Sequence, residues 1–224
     1  VSLALLKFFT VLTSLGAKER LALSFRHMND DPQNHIRVIP PLLRREVTLH
    51  EPYSGDYIHG YMVNAGFSEN VMKWHRQHPG IPLRFFWDKW EEEPVKRVDN
   101  TLSFYQLDDV EFLRQMAGCK AYASTAGFES VCEAMYLGKP ILMVPAHIEQ
   151  DCNAYDAEKS GAGIISSDFN LQQLLEFAKD YHPNRDFVYW VRGAEYTLLN
   201  LLESDSSNYQ QVLFNEMYLV EEFI

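Results

Sequence analysis

Cysteine is scarce in this 224-residue chain: Cys119, Cys132 and Cys152 are the three, and no two are spaced as CxxC. Any disulfide scheme leaves one over, and neither a zinc ribbon nor a dithiol redox centre can be built at that spacing. The thiols read as small buried side chains in a reducing compartment, which places the chain in the cytoplasm. Basic charge is short as well, with 20 Lys and Arg against 31 Asp and Glu and a net charge of −11. Without a basic field nothing holds a polyanion, so nucleic acid is excluded as a partner. The eight histidines, at 27, 35, 50, 59, 75, 78, 147 and 182, form no HxxxH or HExxH, and no metal site is expected.

Long hydrophobic runs are missing too. Residues 1–15 are apolar, but a spanning helix needs roughly 20 residues, Lys7 interrupts the run, and no basic region or small-residue cleavage site frames it. Leu3, Leu6, Phe9, Thr10 and Thr13 recur at helical spacing. An amphipathic helix packed on a domain outside this chain is therefore expected. The sharper reading is a peripheral contact at the inner face of the membrane, which lacks the Lys/Arg-rich polar face of such helices.

What is present concentrates in residues 124–163. A β-type run at 121–124 leads into a small-residue turn with Gly127, and a helical run from Glu129 to Leu137 is stopped by Gly138 and Pro140. A second apolar strand, 141–144, ends at Pro145, and a helix opening with Glu149, Gln150 and Asn153 is closed by Gly161 and Gly163. This alternation predicts a parallel α/β sheet, whose ligands sit at the carboxyl ends of the strands. Backbone N–H groups at Ala126-Gly127-Phe128, ahead of a helix N-terminus, suit a diphosphate, and glycine permits close approach. Glu133 lies in the same helix, where its carboxylate can reach back and accept two ribose hydroxyls. Glu149 and Gln150 can meet sugar hydroxyls. The bland alternatives are a solvated helix residue, a turn glycine and a polar first turn.

Taken together, Gly127, Glu133-Ala134, Gly138-Lys139-Pro140, Pro145, Gln150, Asn153-Ala154 and Gly161-Ala162-Gly163 resemble the donor-binding half of GT-B glycosyltransferases. The pattern is similar to the UDP-N-acetylglucosamine transferases of lipid II synthesis and to the glycosyltransferases related to them. By that resemblance Glu133 holds the ribose, Glu149 and Gln150 the donor sugar, and the Gly127 turn the diphosphate. The family usually has paired glycines where this chain has Ala126-Gly127 and a glutamine in place of Glu149, which leaves the sugar open. Arg44, in the linker 41–46, matches a family arginine that sits over the diphosphate; the alternative is a solvated linker arginine. By the same resemblance the backbone near Leu107 meets the base, with Phe104 and Leu107 as candidates.

Elsewhere, 21–25 and 36–39 read as last strands of a preceding domain and Pro40-Pro41 as a stiff joint. A strand ends at Asn64, Ser68 reads as an N-cap for a helix to His78, and Asn64-Ala65-Gly66-Phe67 is a second candidate phosphate cradle. Residues 82–87 and 102–105 read as strands and 91–98 as a charged connection. Helices are expected over 171–181 and 186–202, and in GT-B proteins a C-terminal helix crosses back to the other domain, a role that 209–224 is placed to fill.

The expected fold is α/β, a Rossmann-like parallel sheet forming the C-terminal half of a GT-B glycosyltransferase. Residues 1–50 are taken as remnant and linker, 51–185 as the nucleotide-sugar domain and 186–224 as returning helices. A two-domain enzyme needs roughly 300 residues or more, so an N-terminal domain is expected to precede this chain. The expected activity is metal-independent transfer of a sugar, an N-acetylhexosamine first, from a UDP-sugar to a glycan or lipid-linked acceptor. No cofactor is implied, and the general base lies across the cleft. Two rivals remain, a UDP-N-acetylglucosamine 2-epimerase and the donor-binding subunit of a two-chain transferase.

Overall fold

The computed structural model describes residues 3–89 and 93–203. An N-terminal helix, α1 (Leu3–Thr13), precedes a parallel pair, β1 (Arg20–Leu23) and β2 (Ile36–Ile39), and a short helix, α2 (Arg45–Thr48). The main body begins with β3 (Ile58–Met62), α3 (Ser68–Gln77) and then three strands without a helix between them, β4 (Leu83–Trp87), β5 (Val95–Arg97) and β6 (Leu102–Gln106). It continues with α4 (Asp109–Gly118), β7 (Ala121–Ser124), α5 (Phe128–Tyr136), β8 (Ile141–Met143), α6 (Ile148–Lys159), β9 (Gly163–Ile165), α7 (Leu171–Phe177) and α8 (Arg185–Arg192).

The seven strands are ordered β5-β6-β4-β3-β7-β8-β9, all parallel except β5. The chain starts in the middle at β3, winds outward through β4 and β6, and then restarts at β7 on the other side of β3. Strand order therefore reverses between β3 and β7, which is the doubly wound Rossmann arrangement with its crevice at that switch point. Both faces are covered, so the strands read as apolar runs rather than alternating ones. Side chains on successive residues split between two cores. Phe86, Phe112 and Tyr122 fill one with the apolar face of α5, and Phe85, Leu102 and Phe104 fill the other. Gly163 is required by the tight β8–β9 approach, since a Cβ there would stand 1.9 Å from the Ile141 carbonyl oxygen.

Several expectations are corrected. The charged connection 91–98 contains a strand, β5, antiparallel to the β6 edge. Ser68 is the first residue of α3 rather than its N-cap; Asn64 caps instead, its Oδ1 accepting from Gly66 N at 2.8 Å for the 3-10 turn Ala65–Phe67. Helix α7 stops at Phe177. Residues 209–224, and with them the returning C-terminal helix, lie outside the described residues. Residues before and after the linker pack on the main body: Phe25 and Val47 join the core, Phe25 packs on Phe128, and Trp190 Nε1 of α8 donates to the Ser24 carbonyl at 3.0 Å. Helix α1 has no buried residue, and among the described residues no helix is long and apolar enough to cross a membrane.

Candidate functional site

Helix α5 carries the site, and its two ends show how local sequence sets it. At the C-terminus Gly138 takes a left-handed φ of 67°, its N–H donates to the Met135 carbonyl, and Lys139 N donates to the Ala134 carbonyl. This Schellman closure is what Gly138-Lys139 supplies. The Lys139 side chain is buried, with Nζ donating to the Tyr53 and Cys119 carbonyls at 2.7 and 3.0 Å. At the N-terminus the turn out of β7 needs a left-handed residue, and Ala126 takes that conformation at φ 61°, while Gly127 sits at −63°. A non-glycine residue there costs about 1–2 kcal/mol. Two contacts hold it: Ala126 N donates to Ser124 Oγ at 2.9 Å, and Asn153 Nδ2 donates to the Ala126 carbonyl at 3.3 Å.

Of the three amides expected to hold a diphosphate, that of Ala126 is therefore already engaged. The remaining donors belong to the first turn of α5, which has no side-chain cap. Gly127, Phe128, Glu129 and Ser130 line a cavity of about 770 Å³ beside the β3–β7 switch point. A Cβ on Gly127 would meet only Ser130 Oγ, at 3.6 Å, so glycine keeps this wall open rather than serving a special backbone angle.

The cavity joins Arg44 from the linker, Tyr61 from β3, Leu107, Asp109 and Phe112 around the start of α4, Glu133 from α5 and Glu149 from α6. Arg44 and Glu133, 89 positions apart, are paired with each other: Nε donates to Oε1 at 2.6 Å and Nη2 to Oε2 at 2.9 Å. Arg44 Nη1 also stands 3.1 Å from Asp109 Oδ1. The Glu133 side chain is 2% exposed and that of Arg44 35%. Burial pushes the Glu133 carboxyl upward, opposed by the guanidinium, and the hydrogen bonds to Glu133 push Arg44 upward. Burial likewise raises the Cys132 thiol in the cavity wall.

The other expected residues separate. Leu107 lines the cavity, and Glu149 lines it as well and is exposed. Gln150 is turned inward, 6% exposed, with Oε1 accepting from Ala146 N at 2.9 Å, so its amide oxygen braces the loop after β8. Ala65 and Gly66 do not reach the cavity. The Gly66 N–H is consumed by Asn64, and Gly66 borders a separate hollow with Glu69, Lys73 and Arg76. Phe104 is not a base contact, because it is 1% exposed in the other core and stacks on Trp87 at 4.4 Å. Its register on β6 turns it to the opposite face from Tyr105. Sequence reasoning missed Asp109, Tyr61 and Phe112; only Asp108, whose side chain accepts from Glu111 N to cap α4, marked the place locally. Among the described residues no three His, Cys, Asp or Glu side chains converge to hold a metal ion.

Comparison with known proteins bears on the fold and the family. The profile of Glycosyl transferase family 1 matches residues 13–181. A Caenorhabditis elegans protein named as a UDP-glucuronosyltransferase, ugt-48, is 26% identical over 105 residues, 46% of this chain and 20% of that protein. Among solved structures, CalG4, the calicheamicin glycosyltransferase, superposes with a TM-score of 0.56 at 14% identity, covering 76% of this chain and 48% of its own. The glycotransferase of kitacinnamycin gives 0.55 at 14%, covering 78% and 50%. The chain thus spans about half the length of these structures and shares the fold of GT-B glycosyltransferases. The narrower likeness to the lipid II transferases has no support among these relatives. Matched across most of its length, the chain belongs to glycosyl transferase family 1.

Proposed function

We propose that this chain is the donor-binding half of a glycosyltransferase that moves a sugar from a UDP-sugar to an acceptor. The observation that carries the reading is the placement of a buried carboxylate, Glu133, behind an uncapped helix N-terminus at the switch point of a doubly wound sheet. That arrangement meets a nucleoside diphosphate at both ends, with amides and dipole for phosphate and a carboxylate for ribose. The name of the C. elegans relative supports uridine as the base. Leu107, Tyr61 and Phe112 are the apolar surfaces that a base would use, and Glu149 faces the sugar.

Four carboxylates, Asp109, Glu129, Glu133 and Glu149, line the cavity against the one guanidinium of Arg44. A neutral sugar such as an N-acetylhexosamine fits this field better than glucuronate, whose carboxylate would meet Glu149. Charge developing on the departing diphosphate is met by the α5 N-terminus and Arg44, so the transfer runs without a metal ion. The base that deprotonates the acceptor comes from across the cleft. Within this reading 51–185 is the donor domain, and a glycan or lipid-linked acceptor is held by the remainder of the enzyme.

The test is thermal denaturation with UDP, GDP and dTDP and their sugars. A ligand present at 100 times its dissociation constant stabilises the fold by about 2.7 kcal/mol. UDP compounds are expected to raise the melting temperature most; no shift with any of them at millimolar concentration sinks the reading.

A further inference from the structure

The site described above is closed on itself. Glu133 is the proposed ribose acceptor, yet its side chain is 2% exposed and Arg44 holds both its oxygens with two hydrogen bonds. Arg44 is at the same time the one basic side chain among the described residues lining the cavity, and it is spent on Glu133 and Asp109. In this state a ribose finds its carboxylate covered, and a diphosphate finds four carboxylates and, among the described lining residues, no unpaired cation.

We infer that the Arg44–Glu133 pair is a latch that only a ligand carrying both ribose and diphosphate opens, by exchanging partners with each half of it. This rests on the nucleotide reading of the cavity. Ribose hydroxyls donate to the Glu133 oxygens as the guanidinium leaves, and the guanidinium turns its fork to the phosphate oxygens. Glu133 and Arg44 each exchange their two mutual hydrogen bonds for a pair to the ligand. Half a ligand cannot do this. A nucleoside takes Glu133 but strands Arg44 with Asp109 alone; pyrophosphate takes Arg44 but strands a buried carboxylate, and breaking one side of a buried pair is costly. The position of the arginine suits the exchange, since Arg44 lies just ahead of α2 and its side chain is 35% exposed. The latch makes the site discriminate between a nucleoside diphosphate and its fragments more sharply than their separate contacts would.

The test is calorimetric titration of uridine, UMP, UDP and inorganic pyrophosphate into the parent and Arg44→Met, whose flexible apolar stem leaves Glu133 uncovered. Binding that no longer has to displace a charged, bidentate partner should tighten for uridine by about tenfold, whereas UDP, losing its phosphate partner, should weaken by about tenfold or more. The ratio of UDP to uridine affinity then collapses, and the two ligands move in opposite directions. If Arg44→Met does not fold, Arg44→Lys keeps the charge without the fork and should still tighten uridine and weaken UDP, each by a smaller factor. Uridine and UDP weakened equally, or both unchanged, would show Arg44 to be a fixed support and overturn the latch while leaving the nucleotide site standing. No binding of any uridine compound by either protein overturns the nucleotide site and the latch with it.

Discussion

The histidine at the centre of the sheet provides a sharp test of the packing around the cavity. His59 is completely buried on β3, between the rings of Phe86, Phe112 and Tyr122, and neither ring nitrogen has a hydrogen-bond partner among the described residues. Phe112, 4.8 Å away, is itself a wall of the cavity. Burial, with a smaller contribution from the charge of Arg84, pushes the His59 pKa from 6.5 down to about 3. The folded chain therefore keeps His59 neutral, while the unfolded chain takes up a proton once the pH falls below 6.5. Stability from this group is complete above pH 6.5 and is lost as pH falls from there toward 3. Each unit of pH within that window is worth about 1.36 kcal/mol. Between pH 7 and pH 5 the loss from this one side chain is about 2 kcal/mol. The assay is urea denaturation at the two pH values for the parent and His59→Phe, which keeps an aromatic ring among aromatic rings but does not titrate. The difference between the two pH dependences isolates the histidine, because the carboxylates contribute to both proteins alike and any change in absolute stability cancels. If the phenylalanine variant loses as much stability as the parent over this interval, His59 is hydrated or partnered in solution and the account of the core is wrong.

Two further outcomes follow from the site. Replacing Ala126, at φ 61° and fully buried, by glycine should change stability by less than about 1 kcal/mol, because relief of the left-handed strain is offset by the lost methyl and the freer unfolded chain. Ala126→Val should cost roughly 2–3 kcal/mol, and thermal melts in which valine is tolerated as well as glycine would remove the strain argument. Glu149→Gln should improve UDP-glucuronate binding relative to UDP-N-acetylglucosamine by roughly fivefold, the worth of one repulsion of about 1 kcal/mol at 4 Å in water; an unaltered ratio in competition titrations would move Glu149 away from the sugar.

Residues 121–165 were legible because each boundary there is a local event. Gly138 takes a left-handed angle, Pro140 and Pro145 bound β8, and β-branched or apolar runs bury on both faces. Such signals act over a few residues and leave a mark in composition. The strand Val95–Arg97 left none, since its extended form comes from pairing with β6 and not from its own residues. Phe104 and Leu107 show the same limit: one lies within β6 and the other just after it, and only the tertiary placement of the strand sends one into the far core and the other to the cavity.

From its residues alone, then, this chain determines a Rossmann-like parallel α/β body with turns at the carboxyl ends of its strands, and it places Gly127, Glu133 and Glu149 within one short stretch of strand–turn–helix units, because that spacing is local. Tertiary structure alone decided what those side chains do to each other. Arg44 reads in the sequence as a partner for phosphate and Glu133 as a partner for ribose, but the fold brings the two within 2.6 Å across 89 positions. Opposite charges in a partly buried space pair with whatever cation or anion the packing delivers, and no periodicity or motif in either segment records that meeting.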